Sequence, residues 1–267
     1  MFVWSLVQDQ NPAGIDSEAA DSPGAAFVDA ARDLAMPETS YNQFCPVAMA
    51  AEVLGARWTL LLLRELVSGS TRFNDLRRGV PRMSPALLSK RLKELETAGI
   101  VSRPPVSGEP GLYEYRLTEA GRELKPVIEA IGCWGQRWID LEASLEKLDP
   151  NLLMWDMRRN IDPTPMPPSR STVQVIFNDL PEARRNWWLV VDPGREVDLC
   201  SVDPGFDVDL YLSTDLRTVT EIWMGYTSIA RAKEQGRLLI TGNRQLEASL
   251  GSWMTLSPFA RVEKKVA

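Results

Sequence analysis

The chain has no histidine and only three cysteines. Without imidazole there is no Ser-His-Asp or Cys-His nucleophile and no His-ligated metal site. Cys45, Cys133 and Cys200 are far apart and odd in number, and none forms a CxxC pair. They suggest neither a disulfide framework nor a zinc site, and they suit a reducing cytoplasm. Long apolar runs near the start are missing too. Residues 1–7 have no basic flank and stop at Gln8-Asp9, too short for a signal sequence or a membrane span, so no membrane partner is expected. No phosphate-cradling glycine loop, paired-carboxylate site or nucleophile–base pair is recognisable. The expectation is a protein that is not an enzyme, with no catalytic residues, no metal and no cofactor.

What is there is unevenly distributed. The net charge is −6 over 267 residues, which argues against a wholly basic nucleic-acid coat protein. Residues 1–40 alone carry net −6, residues 41–145 carry net +2 and the remainder net −2. The basic concentration lies between Arg72 and Lys93, where seven cations (Arg72, Arg77, Arg78, Arg82, Lys90, Arg91, Lys93) face one acid, Asp75.

That stretch reads as two helices joined by a turn. The first ends at Gly79, and Pro81 marks the turn. Ser84 is placed to cap the second, Pro85 takes its first helical position and Gly99 supplies the left-handed residue that closes it. Leu88, Leu92 and Leu95 recur at helical spacing as a buried stripe. The opposite face carries Ala86, Ser89, Lys90, Lys93 and Thr97, small or cationic, with Arg91 at its flank. Such a face suits a DNA major groove, because Lys and Arg neutralise phosphates while Ser and Lys reach base edges. The competing interpretation is a solvated charged face on an ordinary helix pair.

The rest of the chain organises around this pair. Residues 1–40, acidic and rich in Ala, Asp and Pro, read as a mostly disordered extension with a helical turn near 25–34. A helix is expected over 47–54, a break at Gly55, and a helix over 58–67 that is apolar nearly all round and so central to its domain. Runs at 100–104 and 112–117, separated by a Gly/Pro-rich tip, read as a β-hairpin, that is, a wing. Its tip holds Glu109 and no cation, and Arg103 at the base is the better phosphate contact. Thr118 is read as the cap of one long helix. In it Val127, Ile131, Trp134, Trp138, Leu141 and Leu145 recur at spacings of three and four, a seam expected to pair two copies. A short helix at 151–160 and the Pro-rich 162–170 form the boundary to a second domain. There, strands near 172–177, 187–192, 196–200 and 208–212 precede helices at 214–224 and 228–234, a strand at 237–241 and a helix at 244–250. Consecutive antiparallel strands followed by helices indicate an α+β class. The expected division is an extension (1–40), a first domain (41–148), a helix and linker (149–170) and a second domain (171–267).

Residues 41–140 resemble the HxlR-type winged-helix transcriptional regulators, relatives of the MarR group. The resemblance is carried by Tyr41-Asn42-Gln43-Phe44-Cys45-Pro46, Gly55-Ala56-Arg57-Trp58-Thr59-Leu60, Arg72-Phe73-Asn74-Asp75-Leu76, Ser84-Pro85-Ala86-Leu87-Leu88-Ser89-Lys90-Arg91-Leu92 and Tyr115-Arg116-Leu117-Thr118-Glu119-Ala120-Gly121. It implies a homodimer on double-stranded DNA with an inverted-repeat operator, the helix beginning at Ser84 lying in the major groove. It also makes Cys45, ahead of Pro46 and a helix, a candidate thiol redox sensor; a small buried residue is the plainer interpretation. Residues 171–260 are similar to the sterol carrier protein fold, through Asp207-Val208-Asp209-Leu210-Tyr211-Leu212, the 214–225 helix and the stretch from Ala230 to Gly242. That likeness implies a sheet covered by helices around an apolar tunnel.

Expected DNA contacts are thus Arg72, Arg77, Arg78, Arg82, Ser84, Pro85, Ser89, Lys90, Arg91, Lys93 and Arg103. Expected pocket residues for an apolar small-molecule effector are Trp188, Leu210, Leu212, Trp223, Met224, Ile229, Trp253 and Phe259, each of which also suits an ordinary core. Two classes stay open: a dimeric DNA-binding regulator with a sensory domain, or a carrier of an apolar molecule using the winged helix to bind protein.

Overall fold

Two hydrophobic cores form along the chain, one on each side of residues 141–149. The computed structural model describes residues 40–140, 145–146 and 148–266, so the acidic extension with its expected turn, and Leu141, lie outside the described residues.

The first core is built on four helices: α1 (Pro46–Leu54), α2 (Thr59–Val67), α3 (Phe73–Gly79) and α4 (Pro85–Thr97). The apolar run of α2 sits centrally, with Leu62 and Leu63 fully buried. Val80 and Met83 anchor the turn after α3, and Leu88, Leu92 and Leu95 hold α4 against the same core. Ser84 caps α4 by accepting from the Leu87 amide, and Gly99 adopts φ +69° just past its end. The wing follows as β1 (Val101–Ser102) antiparallel to β2 (Arg116–Leu117), extended by a bridge between Pro105 and Tyr113. The Tyr115 amide donates to the Thr71 carbonyl at 2.8 Å, tying the wing to the start of α3.

The long helix expected after Thr118 is two helices, α5 (Glu119–Glu123) and α6 (Lys125–Trp138). Pro126 opens α6, and Ile139 leaves it in an extended conformation. The expected seam is therefore shorter: Leu145 lies beyond the helix end and is buried rather than on an outer face.

The second core begins with α7 (Pro150–Arg159), whose Leu153, Met154 and Met157 pack with Met166 of the Pro-rich stretch against the sheet. The strands are β3 (Ser171–Phe177), β4 (Asn186–Val191), β5 (Asp198–Cys200), β6 (Leu210–Thr214) and β7 (Leu238–Gly242), in spatial order β5-β4-β3-β6-β7. A short α8 (Glu182–Arg185) turns between β3 and β4. The expected all-antiparallel order does not hold at the centre: β3 and β6 run parallel, Val175 opposite Leu212. The return path is long enough for that crossover because β4, β5 and an irregular loop intervene. α9 (Leu216–Trp223), capped by Asp215, then α10 (Ile229–Glu234), α11 (Arg244–Ala248) and α12 (Leu250–Trp253) complete the layer. Among the described residues no single helix is long and apolar enough to cross a membrane.

The two cores meet at a buried carboxylate. Glu65, on α2, is 0% exposed. Its oxygens accept from Arg64 Nη2 (2.8 Å), from Arg159 Nη1 (2.7 Å) and from Trp155 Nε1 (3.1 Å). Arg159 and Trp155 come from α7, so the second unit supplies two of these three donors to a charge buried in the first. Arg64 also donates to the Gly79 carbonyl, and a Cβ at Gly79 would fall 1.9 Å from Glu65 Cδ, so only glycine ends α3 here. Asp156 completes the cluster by pairing with Arg159. Burial raises its carboxyl above the usual range, against the pull of Arg64 and Arg159.

Removing one partner from a buried ion pair leaves the other desolvated and costs about 3–5 kcal/mol. Arg159→Met is expected to fall at the low end of that range, about 3 kcal/mol, because Arg64 still serves Glu65. A urea titration reads this as a lower midpoint. An unchanged midpoint would show that the cluster is not what joins the two units.

Candidate nucleic-acid interface

Among the described residues nothing covers one face of α4. Ser84, Pro85, Ala86, Ser89, Lys90, Lys93 and Thr97 are all exposed, while the leucine stripe opposite is buried. Lys90 and Lys93 stand well out from the fold, with side chains 68% and 74% exposed. Among the described residues each is balanced only by a neighbour on its own helix: Lys90 by the exposed Glu94 at 4.0 Å, Lys93 by the half-buried Glu96 at 3.0 Å. Such surface pairs contribute a few tenths of a kcal/mol and yield to a phosphate at little cost. Arg77 and Arg82, at the end of α3 and in the turn, are exposed beside this face in sequence.

The other expected contacts have work within the fold. Arg91 is only 19% exposed at its side chain: Nε donates to the Arg57 carbonyl at 3.2 Å and Nη1 pairs with Glu94. It fastens α4 to the turn ahead of α2. Arg72 reaches Glu109 at the wing tip, 3.4 Å away. Arg103 lies over the Tyr113 ring at 4.4 Å and near Tyr115 at 5.8 Å, a cation–π hold that fixes its guanidinium on the wing. Arg78 is bonded to Asp75 and stacks over Trp155 of α7 at 5.3 Å, so it turns toward the second unit. The sequence pattern of cations therefore separates into an exposed set on α4 and the turn, and a structural set at the edges.

A second exposed surface is apolar. On α6, Val127, Ile131, Trp134 and Trp138 are all exposed, Trp134 by 60%. α1 buries no residue, and Phe44 just before it is 98% exposed. Cys45 is the N-cap residue of α1 and half-buried, and Cys133 and Cys200 are likewise half-buried and free.

The expected pocket residues divide. Leu210, Leu212, Trp223 and Trp253 are packed into the second core. Trp188 is buried and opposite Gln174 in register, next to the inward-facing Trp187 and Leu189. Met224 and Phe259 border a cavity of about 300 Å3 shared with α6, and Ile229 borders a shallower one of about 650 Å3 beside α10. Sequence reasoning missed the α6 side of the first cavity and the whole Glu65–Trp155–Arg159 cluster. A lone acid within Leu60-Leu61-Leu62-Leu63-Arg64-Glu65-Leu66 was the available signal, since a charge on a buried helix requires partners.

Residues 53–143 match a family model described as HxlR-like helix-turn-helix. The chain is 38% identical over 100 residues to an uncharacterized HTH-type transcriptional regulator, YvaP of Bacillus subtilis (strain 168), covering 37% of this chain and 93% of that one. It is 45% identical over 95 residues to another, Rv3095 of Mycobacterium tuberculosis (strain ATCC 25618 / H37Rv), covering 35% of this chain and 58% of the relative. A solved structure, the redox regulator HypR in its reduced form, is 37% identical over 34% of this chain and 91% of its own, with a TM-score of 0.33.

Arg91 and Lys90 are adjacent in sequence but differ in role within the fold. Arg91→Ala is expected to cost about 1–2 kcal/mol through the lost charged hydrogen bonds, while Lys90→Ala should stay within about 0.5 kcal/mol of the parent. Thermal melts distinguish the two; equal shifts would contradict the assignment of Arg91 to the fold.

Proposed function

The chain belongs to the HxlR-like helix-turn-helix family of DNA-binding transcriptional regulators, and on that premise we propose that it works as a cytoplasmic homodimer rather than as an enzyme. In this reading the dimer grips an inverted-repeat operator in double-stranded DNA and answers to an apolar small molecule. One observation carries the reading: the free face of α4, with Ser84, Ser89, Lys90 and Lys93 exposed above a fully buried leucine stripe. A helix of this length presents short side chains and cations to base edges and phosphates in one groove. Arg77 and Arg82 extend the positive surface to the flanking backbone, and Arg103 serves from the wing.

Pairing is assigned to α6. Its exposed Val127, Ile131, Trp134 and Trp138 form an apolar stripe of the kind that monomers seldom leave in water. A two-fold pair then presents two α4 helices to half-sites about one helical turn apart. The second unit, a five-stranded sheet with helices, is read as a sterol carrier protein-like sensory module. The alternative, a carrier whose winged helix binds protein, gives Lys90 and Lys93 no task.

Cys45 supports a second, thiol-based reading, because it stands half-buried with a free thiol at the N-terminal end of α1. If alkylation of Cys45 leaves operator affinity unchanged, that reading is wrong.

DNA selected from a random pool provides the direct test. Selective binding with a steep salt dependence is expected, and Lys90→Ala and Lys93→Ala should each reduce the slope of log K against log salt by about one unit. Absence of any sequence preference would sink the regulator reading. Trp134→Glu is expected to convert dimers to monomers in sedimentation; a dimer that persists would place the pairing surface elsewhere.

A further inference from the structure

Two glycines interrupt the interior of α6, Gly132 and Gly135. Each costs a helix roughly 1 kcal/mol relative to alanine, so each needs a reason. Gly132 has one in the protein itself: a Cβ there would fall 2.3 Å from the ring of Phe259, which abuts the helix. Gly135 has none. Among the described residues a Cβ at Gly135 would meet only Ile139 Cδ1, at an ordinary 3.7 Å. What its missing side chain leaves open is the cavity of about 300 Å3 between α6 and α9.

The walls of that cavity define what fits. Ile139, Leu145, Met224 and Phe259 make it apolar, and among the described residues no charged side chain lines it. Its polar groups are few. Tyr226 donates its hydroxyl hydrogen to Gln136 Oε1 at 2.9 Å, which orients the phenol oxygen and leaves its lone pairs to accept a further bond. The C-terminal segment, which contributes Phe259 to the lining, is held to the end of α6: the Lys265 amide donates to the Arg137 carbonyl, and Lys264 Nζ to that of Ile139. Those contacts satisfy carbonyls at the end of α6 and hold Phe259 in place as a wall. A dry apolar cavity of roughly 150 Å3 takes up benzene. This one is about twice that size but partly open to solvent, and lies at the lower end of small-molecule sites.

We infer that the α6–α9 cavity is a binding site for a neutral two-ring aromatic molecule bearing one hydroxyl, its ring system beside Gly135 and its hydroxyl donating to Tyr226 Oη. The site itself stands on the cavity alone. Its regulatory meaning rests on the reading of α6 as the pairing helix, since one face of α6 then meets the partner while another meets the ligand.

The probe is 2-naphthol, titrated calorimetrically into the full chain without DNA. One molecule per chain is expected to bind. Gly135→Ala, whose added methyl the structure accommodates, should weaken binding a few-fold, and Gly135→Leu, which fills the space, about tenfold or more. Tyr226→Phe should weaken 2-naphthol about fivefold and leave naphthalene unaffected. Circular dichroism checks that each variant is folded, and the alanine variant carries the test if the leucine variant is not. No binding by the parent chain, or equal binding across the glycine series, would overturn the site. Selective DNA binding, measured on the same preparation without the probe, reports separately on the regulator reading.

Discussion

Glu65 sits in the middle of the helix around which the first core is packed, and every route by which its charge is compensated leads somewhere different. Arg64 links it to the end of α3 through the Gly79 carbonyl, and Ser70 lies 3.4 Å away in the following turn. Trp155 and Arg159 link it to α7 and thereby to the second core. A carboxylate buried this completely is tolerated only with such a set of donors. The same demand that stabilises the charge therefore fixes three elements relative to one another: the core helix, the helix leading into the turn before α4, and the first helix of the second unit.

This arrangement gives the exposed elements a firm base. α4 is held by its leucine stripe beneath, by the Ser84 cap at its start and by Arg91 at its side, so its outward face needs no further support. α6 is held differently. One face packs into the first core through Ile128, another meets α9 and the C-terminal segment, and the third, with Trp134 and Trp138, is bare. A helix placed between two units with one open face is suited to pass a change at the cavity to whatever covers the tryptophans.

The legible parts of the molecule were those specified locally. Cap, first-turn proline, leucine spacing and closing glycine lie within sixteen residues, and α4 follows from them almost to the residue. The strands of the second unit were visible in the alternation of Val173, Val175 and Phe177 and of Leu210 and Leu212, but their direction was not. The parallel pairing of β3 with β6 depends on a crossover through strands far apart in sequence, which alternation does not encode. The seam after Pro126 was read too long because spacing continues to Leu145, while the backbone leaves the helix at Ile139. The Glu65–Arg159 pair was invisible for the same reason as the sheet order, since the two residues are 94 positions apart. Among the cations, composition picked out the stretch without separating Lys90 and Lys93, which are exposed and paired only within their own helix, from Arg91 and Arg78, which the fold engages.

The central claim is that α4 enters a major groove as one of a symmetric pair, and methylation interference tests it most directly. Guanine N7 lies in the major groove, so methylating it blocks a helix docked there. On DNA selected by the protein, interference is expected at two clusters of guanines related by symmetry and about ten base pairs apart. Binding indifferent to N7 methylation, or a single cluster without its symmetric partner, would contradict it.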